Sequence, residues 1–315
     1  MAMNFAMVFP GQGSQAIGMM AGFAHHAAVR TTFDEASDVL QQDLWRLVAE
    51  GPETDLNQTI NTQPVMLTAG IAVWRAWLAA RGAQPTVVAG HSLGEYGALV
   101  AAGALAFADA LPLVRFRAQA MQEAVPPGTG AMAAILGLDD AAVAVACAEA
   151  AIGNEVVEPV NFNAPGQLVI AGHREAVERA VAAAKAKGAK RAVLLPVSAP
   201  FHSSLLKPAA ERLAARLAQV SVHAPVLPVV HNVDVAEHAD PDGVRNALAL
   251  QAASPVRWAQ TVNAFAKRGV THLVECGPGK VLAGLTKRIA PGMTGLAITD
   301  DASLDAAIAA VADTA

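Results

Sequence analysis

Thr86-Val87-Val88-Ala89-Gly90-His91-Ser92-Leu93-Gly94-Glu95-Tyr96-Gly97-Ala98-Leu99 places a G-x-S-x-G pentapeptide between two segments of opposite character. The β-branched run before it predicts a short buried strand over 86–89, and the good helix formers after it predict a helix over 95–102. Strand, sharp turn and helix is the setting in which the serine of this pentapeptide becomes a nucleophile elbow, lifted off the end of a sheet. Gly90 and Gly94 fit that setting because so tight a turn needs neighbours without a Cβ. The N–H of Leu93, at the start of the new helix, can point at negative charge developing on an attacked carbonyl. Ser92 is therefore the candidate nucleophile, on an α/β fold.

The whole chain bounds what such a serine could serve. At 315 residues it is long enough for one large α/β domain or two smaller ones. It is 54% hydrophobic but only 4% aromatic, so its core is built from Ala, Val and Leu and a disordered reading is excluded. The net charge of -5 carries no long run of one sign, which argues against nucleic acid or an anionic membrane as a partner. The short basic segment Lys185-Ala186-Lys187-Gly188-Ala189-Lys190-Arg191, or Lys207, offers a local patch for an acidic partner. Cys147 and Cys276 have neither metal-ligand spacing nor the count of a disulfide framework, and read as buried free thiols in a reducing compartment. The amino-terminal residues lack the basic region of a signal peptide, and the longest apolar run, 97–108, is too short to span a bilayer. A cytoplasmic protein that leaves the membrane alone is expected.

Along the chain, residues 5–9 predict a strand stopped by Pro10, and helices are predicted over 32–50, 62–80 and 107–123. Pro126-Pro127-Gly128-Thr129-Gly130 is the strongest internal punctuation. Beyond it the pattern predicts a strand over 131–136, a helix over 139–151, strands over 156–162 and 167–171, a helix over 174–187 and a strand over 191–197. That β-α-β-β-α-β order is the split βαβ of ferredoxin-like domains. Residues 126–198 thus read as a small inserted domain, and residues 1–125 with 199–315 as one larger α/β layer. In the returning part, strands are predicted over 228–232 and 272–276, and helices over 242–252 and 258–268.

A serine hydroxyl needs a base, usually a histidine supplied later in the chain. Of nine histidines, His202 stands out, in Val197-Ser198-Ala199-Pro200-Phe201-His202-Ser203, where the inserted segment ends and the chain re-enters the larger layer. His91 adjoins the serine, but its side chain is expected to leave the elbow on the other side and to pack. No acid lies in an obvious position between Ser92 and His202, since Asp139 and Asp140 read as a helix start. A backbone carbonyl or an amide can hold an imidazole tautomer instead, so a Ser–His dyad is the reading, with Glu275 as the alternative acid. Gly11-Gln12-Gly13-Ser14-Gln15-Ala16 matches a dinucleotide fingerprint, yet no second strand ending in an acid follows it. It reads better as a backbone turn offering the Gln12 N–H as a second oxyanion donor. Arg115 and Arg117, two positions apart on one apolar helix, cannot share a face. Whichever points inward needs an anionic partner, from the protein or from a ligand.

With these residues in hand, the chain resembles the malonyl-CoA:acyl carrier protein transacylases, the loading enzymes of bacterial fatty-acid synthesis. The resemblance runs almost end to end. It is carried by Phe9-Pro10-Gly11-Gln12-Gly13-Ser14-Gln15, Gly90-His91-Ser92-Leu93-Gly94-Glu95, Arg117 with Met121-Gln122, Asn163-Ala164-Pro165-Gly166-Gln167, Pro200-Phe201-His202-Ser203, Gln251 with Pro255-Val256, and Glu275-Cys276-Gly277-Pro278-Gly279. It implies an α/β-hydrolase-like large subdomain with an inserted ferredoxin-like small one, and the substrate cleft between them. It implies Ser92 as nucleophile, His202 as base, and Leu93 and Gln12 as oxyanion donors. Arg117 would fork onto the malonyl carboxylate, Gln251 would orient His202 through its main-chain carbonyl, and Met121 and Phe201 would contact substrate. Leu93 and Phe201 resemble the malonyl-selective pattern rather than the methylmalonyl one, while Ala118 departs from the glycine expected after the arginine. The implied reaction is ping-pong, from malonyl-CoA to the phosphopantetheine thiol of holo-acyl carrier protein, by a monomer with no metal or redox cofactor. A serine thioesterase or esterase, a binding module that kept the fold alone, and a malonate-decarboxylase subunit are the alternatives.

Overall fold

The computed structural model describes residues 3–197 and 199–312. Ser198, where the inserted segment was expected to end, lies outside the described residues. The strands in chain order are β1 (Phe5–Phe9), β2 (Val87–Gly90), β3 (Gly130–Leu136), β4 (Val157–Ala164), β5 (Gln167–His173), β6 (Arg191–Leu194), β7 (Val229–Val230), β8 (His272–Cys276) and β9 (Thr294–Ile298).

All five residues of β1 are buried, as a strand covered on both faces requires. β1 is the middle of a five-stranded parallel sheet of order β7-β2-β1-β8-β9. Its side chains alternate between two cores. Phe5, Met7 and Phe9 join a large cluster with Val73, Trp77 and Leu99, from the helices Thr59–Ala79 and Gly94–Ala101. Ala6 and Val8 face Trp258, Val262 and Phe265 of the helix Trp258–Lys267.

The second sheet is antiparallel, of order β4-β5-β3-β6. The helices Asp140–Ala150 and Arg174–Ala186 cover one of its faces, packing on Ile135, Leu168 and Ile170. The other face sends Met132, Val160, Val169 and Ala171 into the large cluster. Backbone bonds from Phe162 N–H to the Val256 carbonyl (3.0 Å) and from Val256 N–H to the Val160 carbonyl (2.8 Å) tie β4 to the larger part. The β-α-β-β-α-β order read from the sequence is therefore present, and Asp139 caps its first helix by accepting from Ala142 N–H at 2.8 Å.

Several expected elements come out differently. The helix expected over 32–50 is two helices, Ala27–Leu40 and Leu44–Glu50, because Gln41 turns left-handed at φ 51° and Asp43 caps the second by accepting from Arg46 N–H at 2.8 Å. A hydrophobic period cannot register one left-handed residue. The strand expected over 228–232 shrinks to Val229–Val230, since His231 and Asn232 turn away to bond the elbow. Likewise β6 stops at Leu194, leaving 195–197 to border the cleft. The helices Glu53–Leu56, Phe107–Glu123, Lys207–Leu217, Pro241–Gln251, Val281–Ile289 and Asp301–Val311, two short 3-10 turns and the strand β9 complete the described fold. Among the described residues, no helix is long and apolar enough to cross a membrane.

The elbow depends on its two glycines by close approach. A Cβ on Gly90 would lie 1.9 Å from the backbone of Gly94, and one on Gly94 would lie 2.0 Å from the carbonyl oxygen of Phe9. Gly284 is the opposite case, exposed within the helix Val281–Ile289 with nothing within 4 Å of its missing Cβ. Gly94→Ala should therefore destabilise the protein by at least about 2 kcal/mol, and Gly284→Ala should stabilise it by about 0.5–1 kcal/mol. Urea denaturation of the two variants beside the wild type measures both, and a tolerated Gly94→Ala would contradict the packing described here.

Candidate active site

The serine stands where β2 ends and the helix Gly94–Ala101 begins, with φ 52°, a region L-residues rarely adopt. Asn232 grips both sides of this turn. Its Oδ1 accepts from the Ser92 N–H at 2.7 Å, and its Nδ2 donates to the Gly90 carbonyl at 2.7 Å. The Ser92 hydroxyl is thereby fixed opposite His202, whose Nε2 lies 2.7 Å from Oγ. His202 is itself at φ 67°, in the junction segment before the helix Lys207–Leu217. Its Nδ1 meets the main-chain carbonyl of Gln251 at 2.9 Å. A carbonyl only accepts, so Nδ1 carries the proton and Nε2 is free to take one from serine.

Among the described residues, no carboxylate bonds the His202 ring. Glu275, the alternative acid, is on β8 and accepts from Ala283 N–H at 2.9 Å, capping the helix Val281–Ile289. Burial pushes its carboxyl up to about 7, against the pull of those helix N–H groups. Electrostatics favour a neutral imidazole at His202. Burial, and then the charge of Arg117, push it down to about 3.

Arg117 comes from the helix Phe107–Glu123 and is 2% exposed, whereas Arg115 turns aside to the Leu40 carbonyl and Gln42. Of the two sources of an anion, a protein carboxylate is not found bonded to Arg117 among the described residues. Its Nη1 donates to Gln63 Oε1 at 2.8 Å, and its Nη2 to Gln251 Oε1 at 2.9 Å and to Ser92 Oγ at 3.1 Å. All three acceptors are neutral, and Nε has no partner among the described residues. Two amides and a hydroxyl orient the guanidinium without cancelling its charge, leaving a buried cation beside the nucleophile.

These groups border a cleft of about 510 Å3 between the two sheets. Gln12 and Leu93 line one side, with their backbone N–H groups free of any acceptor among the described residues. Met121, Met132 and Phe201 supply an apolar wall. His91, expected only to pack, does two things. Its ring lies 5.7 Å from that of Trp258, and its Nε2 meets Asn163 Oδ1 at 2.8 Å on the edge of the cleft. Among the described residues, no group of His, Cys, Asp and Glu side chains is arranged to hold a metal. Both cysteines are buried, and burial raises both thiols, Cys147 to about 12.

Every sequence-selected site residue therefore meets at one place: Ser92, His202, Gln12, Leu93, Arg117, Met121 and Phe201 around the cleft, with Gln251 behind it. Sequence reasoning passed over Gln63, Glu95, His231 and Asn232. The available signal was weak, namely polar residues inside otherwise apolar, buried segments.

An acyl transferase domain family matches residues 6–290. The malonyl CoA-acyl carrier protein transacylase of Salmonella typhimurium is 56% identical over 306 residues, 97% of this chain and 99% of that one. Among solved structures, an acyl-carrier-protein S-malonyltransferase from Burkholderia pseudomallei superimposes with a TM-score of 0.96 at 63% identity, covering 98% of this chain and 100% of that chain. A malonyl-transacylase solved in complex with its type II PKS acyl-carrier protein gives a TM-score of 0.96 at 52% identity, covering 98% and 99%. The chain is an acyltransferase of this domain family. Within it, the chain belongs to the malonyl CoA-acyl carrier protein transacylases.

The depressed basicity of His202 has a consequence for stability. Its folded value, about 3, lies below the ordinary 6.5, so on acidification the unfolded chain takes up this proton first. The contribution of His202 is whole above pH 6.5 and drains away as pH falls toward 3. Between about pH 6 and pH 4, wild-type protein should lose about 1.4 kcal/mol per pH unit more than His202→Ala. Urea denaturation across that window measures the difference, and parallel profiles would place the imidazole in water.

Proposed function

We propose that this acyltransferase moves the malonyl group from malonyl-CoA to the phosphopantetheine thiol of holo-acyl carrier protein through a malonyl ester on Ser92, supplying fatty-acid synthesis. One observation carries the reading: a buried, uncancelled guanidinium 3.1 Å from the candidate nucleophile. A malonyl thioester has its carboxylate one methylene away from the carbonyl to be attacked, so an arginine at that reach can pair with the carboxylate while the carbonyl stays at serine. Guanidinium geometry suits such a bidentate pair.

In the proposed reaction, Ser92 Oγ attacks the thioester carbonyl and His202 Nε2 takes its proton. The Leu93 and Gln12 N–H groups donate to the resulting oxyanion. Collapse breaks the C–S bond, and the departing CoA thiolate takes the proton back from the imidazolium. The carrier's thiol then gives its proton to His202 and attacks the ester, restoring the serine hydroxyl. Gln251 keeps the imidazole tautomer throughout. The malonyl carboxylate also answers the charge of Arg117, which is the second influence holding His202 acidic, so substrate binding favours proton transfer to the base. Met121 and Phe201 would enclose the acyl chain, and no metal or redox group enters any step. The inserted unit, residues 126–198, is read as ferredoxin-like and the rest of the chain as α/β-hydrolase-like; the antiparallel order β4-β5-β3-β6 supports the first assignment, and the serine at the turn between parallel strand β2 and its helix supports the second.

Incubation with malonyl-CoA followed by acid quench should leave the malonyl mass on the peptide containing Ser92, and Ser92→Ala should stay folded and unlabelled. Label on Ser203 or on a cysteine would overturn the assignment. The labelled enzyme should persist for minutes in buffer and discharge within seconds on addition of holo-carrier protein, while apo-carrier, lacking the thiol arm, leaves it untouched. Rapid release of free malonate without any carrier would instead make the protein a thioesterase.

The role of Arg117 has its own test. Stranding one member of a desolvated pair costs on the order of 3–5 kcal/mol. Arg117→Ala should therefore shift the ratio of malonyl to acetyl transfer by about two decades or more, because an acetyl group brings no charge to strand. Equal losses for malonyl-CoA and acetyl-CoA would mean that Arg117 serves only the fold.

A further inference from the structure

Three donors from two other segments converge on a buried carboxylate that the transfer reaction itself does not touch. Glu95 lies in the first turn of the helix after Ser92 and is fully buried. Its Oε1 accepts from Nδ1 of His231 at 2.7 Å, and its Oε2 accepts from the Asn232 N–H at 2.9 Å and from Nε2 of Gln251 at 2.9 Å. Two of these donors lead straight to the reacting groups. Asn232 grips the left-handed turn through the Ser92 N–H and the Gly90 carbonyl, each at 2.7 Å. Gln251 donates to the Ser92 carbonyl at 3.0 Å, accepts from Arg117 at 2.9 Å, and holds His202 through its main-chain carbonyl at 2.9 Å. Because a carboxylate only accepts, Glu95 also draws the amide nitrogen of Gln251 to itself and leaves the amide oxygen for Arg117.

We infer that Glu95 and Asn232 form a positioning pair for acyl transfer, in which the Glu95 carboxylate sets Asn232 and Gln251 and, through them, the backbone of Ser92 and the placement of His202 and Arg117. This rests on Ser92 and His202 being nucleophile and base. A buried polar cluster is a weak source of stability, since well-packed apolar residues often do as well; fixed geometry is what this one supplies. Burial disfavours the charged form of His231, but the neighbouring Glu95 carboxylate outweighs it and raises its affinity for a proton. His231, the Asn232 N–H and the Gln251 amide thus occupy the carboxylate, which makes no hydrogen bond to Arg117 among the described residues.

A neutral fluorophosphonate, which phosphonylates an activated serine with loss of fluoride, reports on the dyad without needing a carboxylate. Rate constant and final stoichiometry of labelling are measured for wild type, Glu95→Gln and Asn232→Ala, beside the malonylation kinetics. A misplaced reacting group lowers rate on the order of 10²-fold. Both variants should show a loss of that order in the rate constant for both reagents, with full final labelling. A purely structural role would instead reduce the labelled fraction and leave the rate constant of the folded fraction unchanged, and that result overturns the inference. If Glu95→Gln fails to fold, Asn232→Ala decides by the same two readouts; failure of both to fold also overturns it, since the pair would then serve the fold. Wild-type protein that is not labelled at Ser92 would sink the proposed function, whereas labelled wild type with unaffected variants sinks this inference alone.

Discussion

Ser92 holds a left-handed backbone, φ 52°, at the end of a buried parallel strand. Such a conformation costs an L-residue about 1–2 kcal/mol and survives only where the surroundings over-determine it. The surroundings here are steric as well as polar. Gly90 and Gly94 leave no room for a Cβ against each other and against the Phe9 carbonyl, so strand, turn and helix pack closer than any other pair of residues would permit. Asn232 then bonds the turn on both sides. The hydroxyl direction, the free Leu93 N–H and the 2.7 Å approach to His202 all follow from that one turn.

Charge is distributed with the same economy. The site contains a buried guanidinium, Arg117, and a buried carboxyl, Glu95, yet the two make no direct hydrogen bond among the described residues. The Gln251 amide stands between them, its oxygen toward one and its nitrogen toward the other. Glu95 accepts from His231, and among the described residues Arg117 donates to two amides and a hydroxyl, with the Tyr96 ring 5.6 Å away. In a low-dielectric cleft an unanswered guanidinium is a strong attractor for a small carboxylate. Burial, and after it this same charge, hold the basicity of His202 down. Ser92, His202 and Arg117 are thus electrostatically coupled through distances of a few ångströms.

Much of this was legible in the chain because it is local. The pentapeptide with its flanks located the elbow, the run 5–9 located the central strand, and the β-α-β-β-α-β order was visible from periodicity and punctuation. Some misses were local too. Asp300 and Ser303 form a capping box at the start of the helix Asp301–Val311, a signal present in the sequence. Others had no local cause. Gln41 breaks a helix by turning left-handed, and His231 and Asn232 leave a strand early because their side chains are needed 136 to 142 residues away.

The sequence by itself determined which residue types were available for the chemistry and which short turns would present them, since a G-x-S-x-G between strand and helix has few other conformations open to it. It also determined that one inward arginine would need an anion. Only the tertiary structure decided that no protein carboxylate supplies that anion, and that a backbone carbonyl of Gln251, rather than Glu275, orients His202. It alone brought Glu95 against His231, Asn232 and Gln251. The physical reason is the range of the interactions. Turn geometry and helix periodicity act over a few residues, whereas burial and hydrogen-bond satisfaction are properties of the packed interior, where partners far apart in the chain become neighbours.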